Sequence, residues 1–162
     1  MDRTLEETVL EAMDGLFRGA LFLCGGDAAQ AAERVERLAA TAFRLQRETS
    51  LPVPDPRALD RLLVRDVLAD PPGPASDPGP EGVGPLDLGE VSADAVLRAA
   101  GAVPLPARAA LWLVLIERWP YAEAADALGT DTNGLRAQLA YRDLFMAAAF
   151  GRGDSNGRVA SV

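Results

Sequence analysis

The sequence predicts an all-α protein of two small helical bundles joined by a Pro/Gly-rich acidic linker, the C-terminal bundle built on a helix-turn-helix. Three observations predict it. Apolar residues recur at helical spacing in segments that open on capping residues and close near Gly or Pro. Residues 71–91, PPGPASDPGPEGVGPLDLGEV, hold almost nothing to bury and read as a flexible linker between residues 1–70 and 92–150. Leu105 to Phe150 reads as consecutive helices whose central link is very short. Residues 151–162, GRGDSNGRVASV, are small and polar and read as a frayed tail.

Taken in order, Thr4-Leu5-Glu6-Glu7 is a capping box, in which Thr4 and Glu7 satisfy each other's free backbone donors. The helix it opens runs to about Leu23. Its apolar positions Leu5, Val9, Met13, Leu16, Phe17, Ala20, Leu21 and Leu23 widen toward the C-terminal end, which should be the more deeply buried. Gly25-Gly26 breaks it. Asp27 with Gln30 caps a second helix, where Val35, Leu38, Ala39, Ala42 and Phe43 form one stripe and Glu33, Arg34, Glu36, Arg37 and Arg44 the other face. After the turn Ser50 to Pro54, Asp55 caps and Pro56 begins a third helix that ends before Pro71-Pro72.

In the second half, Ser92 caps a short helix that Gly101 ends. Pro106 suits a first helical position, and Ala109, Leu111, Trp112, Leu115, Ile116 and Trp119 follow at helical spacing until Pro120 stops the run. A short helix from Tyr121 to Leu128 then ends at Gly129, a position for a left-handed residue, and Asp131 caps the next helix. Helices linked this tightly cross steeply, and the second usually enters the DNA major groove. Here it carries Asn133, Leu135, Arg136, Gln138, Tyr141 and Arg142, the candidate DNA-binding residues. Leu111, Leu115, Leu128, Leu135 and Leu139 are the expected core that fixes the crossing angle.

Composition bounds what chemistry is open. Hydrophobic residues make up 49% of 162, enough for ordinary cores, but aromatics are only 6%, so those cores are mainly Leu, Ala and Val. Net charge is −8, where a nucleic-acid binder usually shows a basic face. The excess is uneven: 13 acids against 9 arginines in residues 1–70, 4 against none in 71–91, and 6 against 5 in 92–150. The C-terminal half is therefore close to neutral. With no His and only Cys24, disulfides, His-based acid–base catalysis and a zinc cluster are excluded, and an apolar helix makes Cys24 packed core. No phosphate-cradling Gly-rich loop or nucleophile elbow is present, so neither catalysis nor a cofactor is expected. The first fifteen residues lack a signal-peptide pattern and the longest apolar run, Ala20 to Cys24, is far too short to span a bilayer; a cytoplasmic location is expected.

Leu105-Pro106, Tyr121-Ala122-Glu123-Ala124-Ala125 and Leu128-Gly129 stand in order and at the spacing of the promoter-reading domain of the extracytoplasmic-function (ECF) sigma factors, and the chain resembles that family. Leu16-Phe17-Arg18-Gly19-Ala20-Leu21-Phe22-Leu23 and Gly26-Asp27 are similar to the opening of its polymerase-binding domain. The family's acidic clamp-binding motif would fall on Gln30, Ala31, Ala32, Glu33, Arg34, Val35 and Glu36, of which Ala31, Glu33 and Val35 agree. The resemblance implies an RNA polymerase partner bound through Gln30, Glu33, Arg34 and Arg37, and promoter DNA bound through the helix-turn-helix. Its functional positions are eroded. Gln138, Tyr141, Asp143 and Leu144 stand where the family has several Arg and Lys, and Leu59 to Asp70 has no Trp or Lys where the family melts DNA. Weak DNA binding by the chain alone is expected. The alternative is a sigma mimic that keeps the two-bundle shape to bind an anti-sigma factor, or another protein partner, without reading promoters.

Overall fold

The computed structural model describes residues 4–49, 55–73 and 92–150, and among them all regular structure is helical. The elements are α1 (Leu5–Leu23), α2 (Ala28–Thr49), α3 (Pro56–Ala69), α4 (Ala93–Gly101), α5 (Leu105–Leu111), a π-helical turn (Trp112–Ile116), α6 (Tyr121–Ala127), α7 (Thr132–Leu139) and α8 (Arg142–Phe150). The Ser50 to Pro54 turn, most of the linker and the tail expected from sequence lie outside the described residues.

Local capping chemistry places the helix starts. The Thr4–Glu7 box closes in both directions at 3.0 and 3.2 Å. Asp27 accepts from the Gln30 backbone at 3.0 Å and its side chain at 2.9 Å. Asp55, Ser92 and Asp131 each accept the backbone N–H three residues on, at 2.7, 3.2 and 2.7 Å. The breaks fall on left-handed glycines, with φ of 65° and 95° at Gly25 and Gly26 and 67° at Gly129, where a side chain would be strained.

Helices α1, α2 and α3 pack on one another, α4 packs on α8, and α5 and α6 pack on α7. The two halves are themselves joined, through α1 against α4 and α5 and α3 against α5 and α6. One hydrophobic core therefore runs from Leu5 to Ala149. As expected, the C-terminal end of α1 is deepest: every residue from Gly19 to Cys24 is buried. In α2, Val35, Leu38 and Ala42 are buried, whereas Phe43 is exposed. The expected helix-turn-helix core needs correction. Leu111 and Leu135 are fully buried, while Leu115, Leu128 and Leu139 only flank the core. The interior is instead filled by Trp112, Leu113, Trp119 and the alanines Ala124, Ala125 and Ala127, because small residues let α6 approach closely.

At the centre, Trp112 of the second half lies on Gly19 of the first. A Cβ at Gly19 would stand 2.7 Å from the indole Cζ2 and 3.3 Å from Leu63 Cδ2, whereas one at Gly15 meets nothing within 4 Å. Relative to Gly, Ala inside a helix gains roughly 0.5–1 kcal/mol, but an overpacked methyl costs about 1–3. Gly15→Ala should thus raise the thermal midpoint and Gly19→Ala lower it. Equal shifts in the two melts would mean that Trp112 does not rest there.

Candidate functional site

The α5–α7 region is assembled by three local devices. Helix α5 widens into the π-helical turn, in which Glu117 N–H donates to Trp112 C=O at 3.0 Å and Trp119 N–H to Leu113 C=O at 2.9 Å. Arg118 then takes φ 56°, a left-handed conformation unusual without glycine, before Pro120 starts α6. The helical run expected to reach Trp119 therefore stops at Ile116. The residue before a proline is pushed to extended backbone, so the helix must terminate earlier. Beyond α6, Thr130 N–H donates to Ala125 C=O and Gly129 N–H to Asp126 C=O, both at 3.0 Å, a Schellman-type ending that turns the chain into α7.

Of the candidate DNA-binding residues, Asn133 and Arg136 of α7 are exposed and Gln138 is half-buried. Leu135, included among the groove-facing residues, is fully buried and belongs to the core. The helix expected to run on from Asp131 is two helices: α7 ends at Leu139, the chain turns at Ala140-Tyr141, and Arg142 opens α8. The turn is set by packing. It lets Phe145 and Ala149 bury against the rest of the fold, with the Phe145 ring 5.6 Å from that of Phe22. Tyr141 and Arg142 are exposed but stand beyond α7.

Of the candidate polymerase-facing residues of α2, Arg34 is turned inward. Arg34 is only 5% exposed and meets Asp66 of α3 at 3.1 Å and Asp70 at 3.6 Å. Arg37 joins Glu33 and Asp70 at 3.0 Å each and Asp66 at 3.6 Å. The Gln30 amide reaches Asp27 and also Gly73 C=O at 3.4 Å. Of the four, Glu33 keeps the most open side chain, 68% exposed. Arg34 read as a surface residue of the polar face because its partners lie some thirty positions away in sequence. Asp66 and Asp70 clamp α3 to α2.

A second polar group lies between the halves. Arg57 and Arg61 of α3 stand 5.6 and 5.5 Å from the Trp119 ring and pair with Glu123 (2.7 Å) and Asp126 (3.3 Å) of α6. Trp112 and Phe22 are in ring contact at 5.8 Å. Arg108 of α5 donates to Leu23 C=O and, at 3.1 Å, to Val103 C=O. The last turn of α1 has no basic residue, so Arg108 brings a cation to the negative end of that helix from the other half. Burial holds the Arg108 pKa down, opposed by the charge of Cys24.

The remaining chemistry is sparse. A cleft of about 200 Å³ lies between Cys24, Gly25, Gly101, Leu105, Arg108 and residues 71–73. Burial pushes the Cys24 thiol up to about 11, so it is no thiolate nucleophile near neutrality. Among the described residues no group of three His, Cys, Asp or Glu could hold a metal, and no helix is long and apolar enough to cross a membrane.

No protein-family model matches the chain, and no curated protein matches it by sequence. Its fold matches a solved structure, the sigma factor RpoE in complex with the anti-sigma factor NepR from Bartonella quintana. The TM-score is 0.66 over 88% of this chain and 94% of that one, at 15% identity. The chain therefore has a sigma-factor-like all-α fold.

Proposed function

We propose that this chain is a sigma-factor-like transcription regulator that works first through protein contacts, with an anti-sigma factor or similar partner, and reads promoter DNA only with help. The observation that carries this reading is where its charged groups are spent. Glu123 and Asp126, on the first helix of the helix-turn-helix, are engaged with Arg57 and Arg61, and that helix in a DNA complex crosses the phosphate backbone. Arg34 and Arg37 are engaged with Asp66 and Asp70. What supports the partner is the shared fold with a sigma factor whose solved structure holds an anti-sigma factor. No enzymatic activity is proposed.

A second reading, a working ECF-like sigma factor bound to RNA polymerase, is favoured by the exposure of Asn133, Arg136 and Arg142. Asn133 and Gln138 offer the amides that pair with adenine, and the two arginines reach phosphates or guanine. Each phosphate neutralised changes the slope of log affinity against log salt by roughly 0.9, so two arginines give about −2, shallow for a specific binder. Fluorescence anisotropy with promoter DNA should show weak binding by the chain alone. Tight sequence-specific binding by the free protein would refute the partner-first reading. If Arg136→Ala and Arg142→Ala change nothing when core polymerase is present, the sigma reading fails. A native pull-down analysed by mass spectrometry separates the partners: a small helical regulator without polymerase subunits supports the first reading, and polymerase subunits the second.

A further inference from the structure

The cleft of about 200 Å³ is walled by the end of α1, the stretch after α3, the end of α4 and the start of α5. Two glycines bring its sides together. A Cβ on Gly25 would stand 3.2 Å from the Gly101 Cα and 3.7 Å from Arg108 Nη1, so that nitrogen lies beside the cleft floor. Among the described residues of the wall, Arg108 alone is charged. Its guanidinium donates to the Leu23 and Val103 carbonyls, and its Nε–H is buried without an acceptor. Neither carbonyl carries a formal charge, and among the described residues no carboxylate pairs with Arg108. A cation drawn out of water is ordinarily matched by an acid, because neutral acceptors return only part of what its desolvation costs. Here such a cation borders open space. One N–H remains on each of its terminal nitrogens, the pair from which a carboxylate accepts two parallel hydrogen bonds.

We propose that this cleft binds a small free monocarboxylate, whose carboxylate pairs with Arg108 and whose short carbon chain lies against Pro71, Pro72 and Leu105.

Size and charge set the class. At about 30 Å³ per water the cleft has the room of roughly six or seven waters, which suits an acid of about three to five carbons. That is below the roughly 300–1,000 Å³ of pockets for larger ligands. The proline rings, the Leu105 side chain and the buried Cys24 thiol give the chain of the acid an apolar wall. The cleft also lies at the C-terminal end of α1, where backbone carbonyls make the potential negative and no basic residue of that helix offsets it. A dianion such as phosphate is disfavoured there, whereas a monoanion seated on the guanidinium leaves the pair neutral. Because the wall draws on both halves of the chain, an acid bound in it stabilises their junction by mass action, whichever protein partner the chain takes.

Ligand-observed NMR titration of the full chain with sodium propionate, at an ionic strength held constant with sodium chloride, should show saturable binding. The thermal midpoint should rise in parallel, and sodium phosphate should bind more weakly. Arg108→Gln, which keeps an amide donor but no charge, should lose about tenfold or more in affinity, the worth of a charge-assisted hydrogen bond. Gly101→Leu narrows the cleft from the end of α4 and leaves Arg108 in place, since a Cβ there meets Gly25 only at 3.7 Å. It too should abolish binding, and it decides alone if Arg108→Gln does not fold. No saturable binding of propionate by the parent, or binding that neither substitution weakens, overturns the site. Residues 74–91 hold Asp77, Glu81, Asp87 and Glu90, a second source of carboxylates. If propionate binds only after all four are changed to their amides, the cleft serves an internal ion pair and the free-ligand site is refuted.

Discussion

Leu135→Ala should be among the most damaging single substitutions in the C-terminal half. Leu135 is fully buried on α7, the helix that packs on both α5 and α6, so it sets their relative positions. Truncating such a leucine removes transfer free energy and leaves a cavity that the close alanine packing of α6 cannot collapse to fill, a cost of about 2–5 kcal/mol. For a chain of this size that lowers the thermal midpoint by roughly 2–4 °C per kcal/mol. Leu139→Ala, at the edge of the core, should cost well under half as much. Because one core spans both halves, chemical denaturation of Leu135→Ala should remain a single transition with a lower midpoint. Equal losses for Leu135→Ala and Leu139→Ala would show that α7 is not seated as described.

The second large effect belongs to the α2–α3 clamp. Asp66→Ala leaves the Arg34 guanidinium buried with the more exposed Asp70 carboxylate at 3.6 Å and the backbone C=O of residue 66 at 3.4 Å. Breaking a buried pair from one side typically costs about 3–5 kcal/mol, and Asp70 keeps this case near the lower end. Replacing both partners by apolar residues, Arg34→Met with Asp66→Leu, should recover most of the loss, since no charge is then stranded. Urea denaturation of the single and double variants measures both. Glu33→Ala, on the solvent side of Arg37, should stay within about 0.5 kcal/mol. A double variant no more stable than Asp66→Ala would mean that lost packing, not a stranded cation, is the cause.

The helix starts, the glycine breaks and the deep end of α1 were legible because each depends on neighbours three or four residues away. Asp131 caps α7 through Gly134, and Gly129 turns the chain because only glycine takes φ 67° without strain. The helical spacing of apolar residues likewise marked Leu111 and Trp112 as inward-facing. Arg34 was not legible as a buried residue, nor Asp66 as its partner, because the pairing crosses 32 positions. Nor was Arg108, whose acceptor at Leu23 lies 85 positions away.

By itself, then, the sequence determined the all-α class, the order of the helices, their caps and the helix-turn-helix link, all products of short-range hydrogen bonding and periodicity. Tertiary structure alone decided that α7 and α8 are separate, that Arg118 is left-handed, and that Arg34 is buried against Asp66. The physical reason is one of range. A cap is satisfied by groups that the backbone already holds nearby, whereas the burial of a charge and the end of a helix against a core depend on whatever surface the rest of the chain brings to it.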